Sequence, residues 1–227
     1  MAGIQHHFIA GTRADTDVQY AVQDARGILR YQNLHIAQSA IDSACGLAST
    51  LQCVMVLLGI PRSQIERIAV ARRDPLRSLW QIAREGYFDG TSEADIEKYI
   101  SVFAPRLTCD TVTTRSANRV GVAAAKAVAA GHVPIVRFAT RTFSHWATVI
   151  GVEVTAGEAA ARSLLLLDPW WPRPWSAFQN ARLELRPKTG GRFRKPFVLP
   201  YRGDHGELHA AHLQGLVVVK RAAQPPP

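Results

Sequence analysis

Residues 44–59 read ACGLASTLQCVMVLLG, and this apolar stretch decides how the rest of the chain is interpreted. Its large apolar residues recur at the three- and four-residue spacing of one helix face, namely Leu47, Leu51, Val54, Met55 and Leu58. Gly59 follows in the position of a helix C-cap, so the pattern predicts a helix over residues 45–58. Cys45 therefore stands where a loop, residues 39–44, runs into a strongly apolar helix.

The position of Cys45 has two interpretations. The unpaired backbone N–H groups and the positive dipole end of a helix N-terminus favour a thiolate, and Gly46 would leave room for a substrate backbone. A free cysteine is, however, usually a small buried apolar residue. That ordinary interpretation is the prediction for Cys53, two turns into the helix, and for Cys109, within a strand-like segment.

The remaining pattern changes from helical to strand-like along the chain. Residues 62–73 and 75–84 predict two short helices, and Thr91 or Ser92 caps a further helix that Pro105 ends. An alanine-rich helix is predicted over residues 118–130, among strands at residues 107–114, 134–139, 146–152, 164–167 and 215–220. Helices first and strands afterwards indicate an α+β fold with two unlike halves.

Composition indicates an ordinary globular protein. Of 227 residues, 47% are hydrophobic and 20% are charged. A chain of this length and composition can bury a sizeable hydrophobic core without the help of disulfide bonds or structural metal ions. Three cysteines, an odd number, argue against a disulfide framework and for a reducing compartment. We expect one domain over residues 1–222 with a disordered tail at 223–227. No signal-peptide or membrane-spanning pattern is present, so the expected location is the cytoplasm, or outside it by a leaderless export route.

Two polar residues stand at the ends of neighbouring strand-like segments. His145 opens one segment, and Asp168 follows the four leucines of the next. Singly, they would be a capping histidine and a turn-forming aspartate. A short connection at residues 153–163 predicts a hairpin, which brings the start of its first strand and the end of its second to the same edge. With Cys45, these residues would supply a nucleophile, a base and an orienting carboxylate.

Four stretches carry a resemblance to a known family: residues 38–50, 130–136, 144–151 and 166–169. In order and spacing the chain resembles the papain-like cysteine peptidases, most closely the bacterial C39-like branch, over roughly residues 35–175. The resemblance implies an α+β papain-like fold. In it, a helical half carrying the cysteine helix packs against an antiparallel sheet half that carries the histidine and the aspartate.

The resemblance also implies roles. Cys45 would be the nucleophile, His145 the general base and Asp168 the residue that orients the imidazole. Gln38 would donate to the oxyanion together with the Cys45 backbone N–H. Gln38 lies seven residues before Cys45, one more than is usual in the family, so either the loop carries an insertion or the oxyanion hole is built differently.

The implied activity is hydrolysis of peptide or isopeptide bonds through a thioester, without a cofactor, by a processing protease or a delivered bacterial effector. There are two alternatives. The chain could be an amidase or acyltransferase on the same scaffold, or it could be a catalytically inactive module that binds an anionic partner. Trp146, which follows the histidine, is assigned to the substrate side of the site. Trp170 and Trp171, with Trp175, would form either a wall of the substrate cleft or a structural aromatic lid.

Charge points to a second candidate surface. The net charge is +9, and basic residues concentrate in segment 182–202, at Arg182, Arg186, Lys188, Arg192, Arg194, Lys195 and Arg202. Such a segment is either a solvated basic hairpin or loop, or a docking site for an anionic partner. His205, His209 and His212 have the spacing of a helical metal-binding face, but no HExxH pattern accompanies them, and no metal site is predicted.

Overall fold

The computed structural model describes residues 3–15, 17–24, 26–38, 43–174, 177–186, 198–203 and 206–222. Its helices are α1 (Cys45–Leu58), α2 (Arg62–Ile65), α3 (Leu76–Ala83), α4 (Glu93–Ser101) and α5 (Ala117–Ala129), with 3₁₀ turns at Ile68–Val70 and Arg84–Gly86. Its strands are β1 (Ile4–Phe8), β2 (Thr12–Ala14), β3 (Val18–Gln23), β4 (Leu29–Asn33), β5 (Leu107–Thr113), β6 (Val133–Ala139), β7 (Ser144–Thr155), β8 (Ser163–Leu167), β9 (Ala181–Glu184), β10 (Leu199–Gly203) and β11 (Leu208–Arg221). The predicted tail, residues 223–227, lies outside the described residues.

Most helix predictions are confirmed. Gly59 ends α1 in the left-handed region, with φ 64°, and its N–H donates to the Met55 carbonyl. Ser92 caps α4 in a capping box with Asp95. The single helix predicted over residues 62–73 is wrong, because α2 ends at Ile65 and a 3₁₀ turn follows. Two isoleucines three residues apart, at positions 65 and 68, are buried there, and a tighter turn aligns such a pair on one side.

Six strands close into an antiparallel ring. The first half of β7 pairs with β6 and its later residues pair with β8. From β8 the pairing continues through β9 and β10 to β11, and β11 returns to β6. Strands β1 and β5 extend the ring beside β7 and β11. The α+β arrangement with an antiparallel sheet is therefore present, and closure pairs strands that would otherwise be edges.

Helix α1 packs against β7, and almost all of it is buried, with only Val56 and Leu58 less enclosed. Polar side chains in this interface connect the two elements at defined positions. Ser49 donates to the Trp146 carbonyl at 3.4 Å, and Thr148 donates to the Ser49 carbonyl at 3.3 Å. These two bonds hold the N-terminal half of α1 beside the beginning of β7.

A separate three-stranded sheet, β2-β3-β4, covers the C-terminal end of α1. Buried Tyr20 donates its hydroxyl to the Ile60 carbonyl at 2.6 Å, just beyond the helix end. Arg62 donates to the carbonyls of Asn33 and His35 at 3.2 and 2.6 Å. These bonds fix the chain that leads from β4 towards Cys45. Across the described part of the chain, no helix is long and apolar enough to cross a membrane.

Candidate active site

Cys45 is the first residue of α1. Ala44 occupies the N-cap position, and its side chain makes no capping hydrogen bond. The Cys45 side chain is largely enclosed, with 7% of the residue exposed, and it lines a cleft. The sulfur thus lies at the N-terminus of a helix, where the first N–H groups have no partner within the helix and the dipole is positive.

His145 and Asp168 meet at one end of the β7–β8 hairpin. Thr148 pairs with Leu167, which places the second residue of β7 near the residue that follows β8. His145 Nε2 and Asp168 Oδ1 are 2.7 Å apart. The imidazole and the Cys45 side chain line the same cleft and interact electrostatically. Because Nε2 contacts the carboxylate, Nδ1 is the ring nitrogen available to the sulfur.

The charge on Asp168 controls the protonation of His145. Burial alone disfavours the imidazolium, but the charge and hydrogen bond of Asp168, with a further contribution from Cys45, outweigh it. Together they raise the pKa of His145 to about 10. The arrangement therefore favours an imidazolium beside the Cys45 sulfur at neutral pH.

Asp168 is fully buried, and several groups that the sequence did not indicate hold it in place. Its backbone N–H donates to Asn180 Oδ1 at 2.7 Å, and Asn180 Nδ2 donates back to its carbonyl at 2.8 Å. His35 Nε2 lies 3.1 Å from the same carbonyl, and burial lowers the pKa of His35, which keeps that ring neutral. Tyr201 donates its hydroxyl to Oδ2 at 2.5 Å.

A cleft of about 740 Å³ opens over Cys45 and His145. Its walls also include Gln38, Thr91 and Trp170. The volume lies within the range of ordinary ligand sites, and the thiol and the imidazole both face it. An extended segment of substrate could therefore reach the sulfur from solvent.

The charged groups along this cleft are partly neutralised. Arg137 pairs with Glu93 at 2.6 Å, while Asp95 is engaged in the capping box of α4. The hydrogen bond from Ser92 lowers the pKa of Asp95. Asp89, also in the lining, is exposed.

Gly46 has a structural explanation that differs from room for a substrate. A Cβ at this position would lie 2.5 Å from Thr91 Cγ2 and 2.6 Å from Thr91 Oγ1. The space above Gly46 is thus filled by Thr91, which itself lines the cleft. Glycine allows α1 and the segment before α4 to approach each other beside Cys45.

The tryptophans assigned to the substrate side occupy different places. Trp170 is 46% exposed, lines the cleft and stacks on Phe143 at a centroid distance of 6.1 Å. Trp146 is 2% exposed and donates to the Thr91 carbonyl at 2.7 Å, at the base of the cleft. Trp171 turns its indole N–H towards the Tyr201 hydroxyl, behind Asp168. Trp175 lies outside the described residues.

Gln38 lies in the cleft wall together with Cys45. Its backbone N–H donates to the Pro169 carbonyl at 2.9 Å, which ties this residue to the segment that follows Asp168. Its side-chain Oε1 is buried and has no hydrogen-bond partner among the described residues. The loop at residues 39–42, in which the extra residue of the spacing would fall, lies outside the described residues.

The basic segment is neutralised where the structure describes it. Arg182 pairs with Glu153 at 2.5 Å and Arg202 with Glu184 at 3.3 Å. Arg186 pairs with Glu158. These arginines belong to or follow the neighbouring strands β9 and β10, in agreement with the basic hairpin interpretation. The other four cations of the segment, Lys188, Arg192, Arg194 and Lys195, lie outside the described residues.

At two of the three histidines noted for their helical spacing, the chain is not a helix. His209 and His212 lie on strand β11, where residues three apart point to opposite faces. No group of three or more His, Cys, Asp or Glu side chains within the described ranges is placed to hold a metal ion. His205 lies outside those ranges. Of the other cysteines, Cys53 is fully buried, as predicted, whereas Cys109 is only half-buried, on β5.

No protein-family model and no curated protein matches this sequence. Among solved structures, the chain is similar to the crystal structure of UfSP from C. elegans, with 15% identity and a TM-score of 0.43. The similarity covers 98% of this chain but only 34% of that one, so the chain spans about a third of the length of UfSP. At this TM-score the likeness supports no inference about activity, and the case for a function rests on the side chains of the cleft.

Proposed function

We propose that this chain is a papain-like cysteine peptidase, of the C39-like type, that hydrolyses peptide or isopeptide bonds. One observation carries the proposal. His145 Nε2 lies 2.7 Å from Asp168 Oδ1, and His145 lines an open cleft together with Cys45, the first residue of α1. A nucleophile, a base within reach of it and a group that orients the base are the parts of this chemistry.

In the first half of the reaction, the Cys45 thiolate attacks the acyl carbon of the substrate, and the carbonyl oxygen becomes an oxyanion. The backbone N–H of Cys45 and the side-chain amide of Gln38 would stabilise that charge. The imidazolium of His145 then gives its proton to the leaving nitrogen. The carbon–nitrogen bond breaks, the amine departs, and a thioester to Cys45 remains.

In the second half, a water molecule attacks the thioester while neutral His145 accepts a proton from it. The carbon–sulfur bond breaks, the carboxylic acid leaves, and the thiolate–imidazolium pair is restored. Asp168 keeps Nε2 protonated throughout, so that Nδ1 is the nitrogen that exchanges protons with the reacting groups. Trp170, exposed beside the cleft, would contact the substrate.

The packing of α1 against β7 of the closed strand ring supports the papain-like arrangement of the proposal. The chain order of Cys45, His145 and Asp168 supports it as well. A peptide or protein is the proposed substrate, and a processing protease or a delivered bacterial effector is the proposed setting, in the cytoplasm or after leaderless export. An amidase or acyltransferase would use the same three residues on a different acyl donor.

A catalytically inactive module that binds an anionic partner is the candidate from another class. It would depend on the basic segment 182–202. Arg182, Arg186 and Arg202 are each ion-paired with a neighbouring glutamate, which leaves less free positive charge for a partner. Strong salt dependence of binding to a polyanion such as heparin would favour this alternative.

The test is iodoacetamide alkylation as a function of pH, followed by mass spectrometry at each cysteine. Cys45 should react at a lower pH than Cys109, whose pKa is raised by burial and by the nearby charges of Glu97 and Asp110. Cys53 should not react in the folded protein, because it is fully enclosed. These two thiols are internal references in the same sample.

Replacement of His145 by alanine should move the Cys45 profile to higher pH, because the imidazolium that pairs with the thiolate is lost. His132→Ala is the control, since this histidine precedes β6 and does not line the cleft. Cleavage of a proteome-derived peptide library should be detected with the wild type and abolished in Cys45→Ala. If Cys45 reacts no earlier than Cys109 and His145→Ala changes nothing, the catalytic proposal is wrong.

A further inference from the structure

The hydrogen bonds around Asp168 continue beyond the three proposed catalytic residues. Tyr201, on β10, donates its hydroxyl to Asp168 Oδ2 at 2.5 Å, and Trp171 donates its indole N–H to that same hydroxyl oxygen. Tyr201 and Asp168 are 1% and 0% exposed, so water does not compete for these bonds. Building on the proposed function, we propose that Tyr201 is a positioning residue, which holds the Asp168 carboxylate oriented towards His145.

The two carboxylate oxygens of Asp168 have separate partners. Oδ1 accepts from His145 Nε2 at 2.7 Å and from the Trp170 backbone N–H at 2.8 Å. Oδ2 accepts from Tyr201 and, within the described part of the chain, from no other group. A carboxylate that is bonded through one oxygen can rotate about its terminal torsion, which is broad. The bond from Tyr201 to the second oxygen fixes the plane in which Oδ1 meets the imidazole.

The Tyr201 hydroxyl can act only as a donor to this carboxylate in the working pH range. Burial, and the charge and hydrogen bond of Asp168, raise the pKa of Tyr201 far above its ordinary value. The indole N–H of Trp171 contacts the hydroxyl oxygen and so leaves the O–H directed at Asp168. A buried charge is costly unless it is hydrogen-bonded, and Tyr201 supplies one of the three bonds that stabilise this one.

The consequence reaches Cys45 through His145. A carboxylate that is free to rotate holds Oδ1 less well aligned with His145 Nε2, so it stabilises the imidazolium less. With less imidazolium beside the sulfur, the Cys45 thiolate is stabilised less as well. Tyr201 therefore acts on the nucleophile without touching either the thiol or the substrate. Its ring packs on Phe138 at a centroid distance of 4.7 Å, and this packing does not need the hydroxyl. Tyr201→Phe consequently removes the bond and retains the shape.

The experiment is the pH profile of Cys45 alkylation by iodoacetamide in Tyr201→Phe. We expect the midpoint to move to higher pH by roughly one unit, the equivalent of one hydrogen bond to a charged acceptor. Tyr20→Phe is the matched control, because Tyr20 is equally buried and donates a 2.6 Å bond to the Ile60 carbonyl in the separate sheet. It should leave the midpoint where it is in the wild type.

A double replacement tests whether Tyr201 acts through Asp168. Asp168→Asn should move the midpoint further than Tyr201→Phe does, and adding Tyr201→Phe to Asp168→Asn should move it no further. If the midpoint shifts of the two single variants simply added in the double variant, a positioning role would be contradicted. It would also be contradicted if the Tyr201→Phe profile coincided with that of the wild type while the Asp168→Asn profile shifted. If His145→Ala also leaves the profile unchanged, the proposed function itself fails. If the Cys45 profile shifts in His145→Ala but not in Tyr201→Phe, the proposed function stands and only the proposed role of Tyr201 is wrong.

A second variant keeps the test decisive if Tyr201→Phe does not fold, as judged by its thermal unfolding. Trp171→Phe leaves Tyr201 in place and removes the N–H donor to its hydroxyl. We expect a smaller shift of the Cys45 midpoint, again to higher pH. The absence of any shift in this folded variant would overturn the proposal.

Discussion

Replacing Gly46 by alanine should destabilise the protein and displace the candidate nucleophile. The added Cβ would lie 2.5 Å from Thr91 Cγ2 and 2.6 Å from Thr91 Oγ1, whereas carbon atoms in contact are about 3.5–4.0 Å apart. One of the two segments must therefore move by about 1 Å. Neither moves freely, because Trp146 donates to the Thr91 carbonyl at 2.7 Å and α1 is buried along its length.

The expected cost follows from this geometry. Overpacking a well-filled core lowers the free energy of unfolding by about 1–3 kcal/mol. We expect the upper end, about 3 kcal/mol, because neither α1 nor the segment that contains Thr91 can move easily. Urea unfolding measures it as a lower midpoint with an unchanged slope. Thr91→Gly removes the Thr91 Cβ, Cγ2 and Oγ1 atoms, which are the three that the new Cβ would meet. The double variant should therefore show a favourable coupling of at least about 2 kcal/mol.

A free energy of unfolding for Gly46→Ala within about 0.5 kcal/mol of the wild type would refute this reasoning. A change that small is typical of an exposed position and would mean that the space beside Gly46 is not filled. The same would hold if Thr91→Gly gave no recovery. A stable Gly46→Ala variant that no longer cleaves peptides would instead support the interpretation that this glycine leaves room for a substrate backbone.

Two further predictions concern His145 and Gln38. Because the folded pKa of His145 is raised from 6.5 to about 10, its contribution to stability is complete below pH 6.5 and is lost as the pH rises through about 10. The difference in unfolding free energy between the wild type and His145→Gln should shrink across that window, and a constant difference would contradict the charged pair. Gln38→Ala should lower peptide cleavage by about 10²–10³. It should leave Cys45 alkylation unchanged, since iodoacetamide reacts at a saturated carbon and forms no oxyanion; an equal loss in both assays would argue for a general disturbance of the site.

The parts of the site that depend on local pattern could be predicted from the sequence. The apolar periodicity of residues 45–58 and the cap at Gly59 set the bounds of α1, which begins at Cys45. The short connection between two apolar segments sufficed to place His145 near Asp168, because register in a hairpin follows from its turn. Both inferences use residues that are neighbours in the chain or in adjacent strands.

Tyr201 could not be found in this way. It lies 33 residues after Asp168, and the two meet only because the strand ring closes through β9 and β10. Strand β9 has four residues, and β10 includes Pro200, so neither carries a clear strand signal. The spacing of the histidines at 209 and 212 was uninformative for a related reason, since helical spacing has no meaning until the element is known to be a helix.

The closed ring of strands makes any activity of this chain a property of the finished fold rather than of its early segments. Strand β11 hydrogen-bonds with β5, β6 and β10, so the ring stays open while residues 208–221 are still being synthesised. Contacts between distant segments form late in folding, because the entropy of closing the loops opposes them. A growing chain would thus expose the thiol of Cys45 long before Tyr201 could reach Asp168. If the proposed function holds, a ribosome-bound chain would carry the cysteine before its orienting groups are assembled, and would not yet cleave the polypeptides around it.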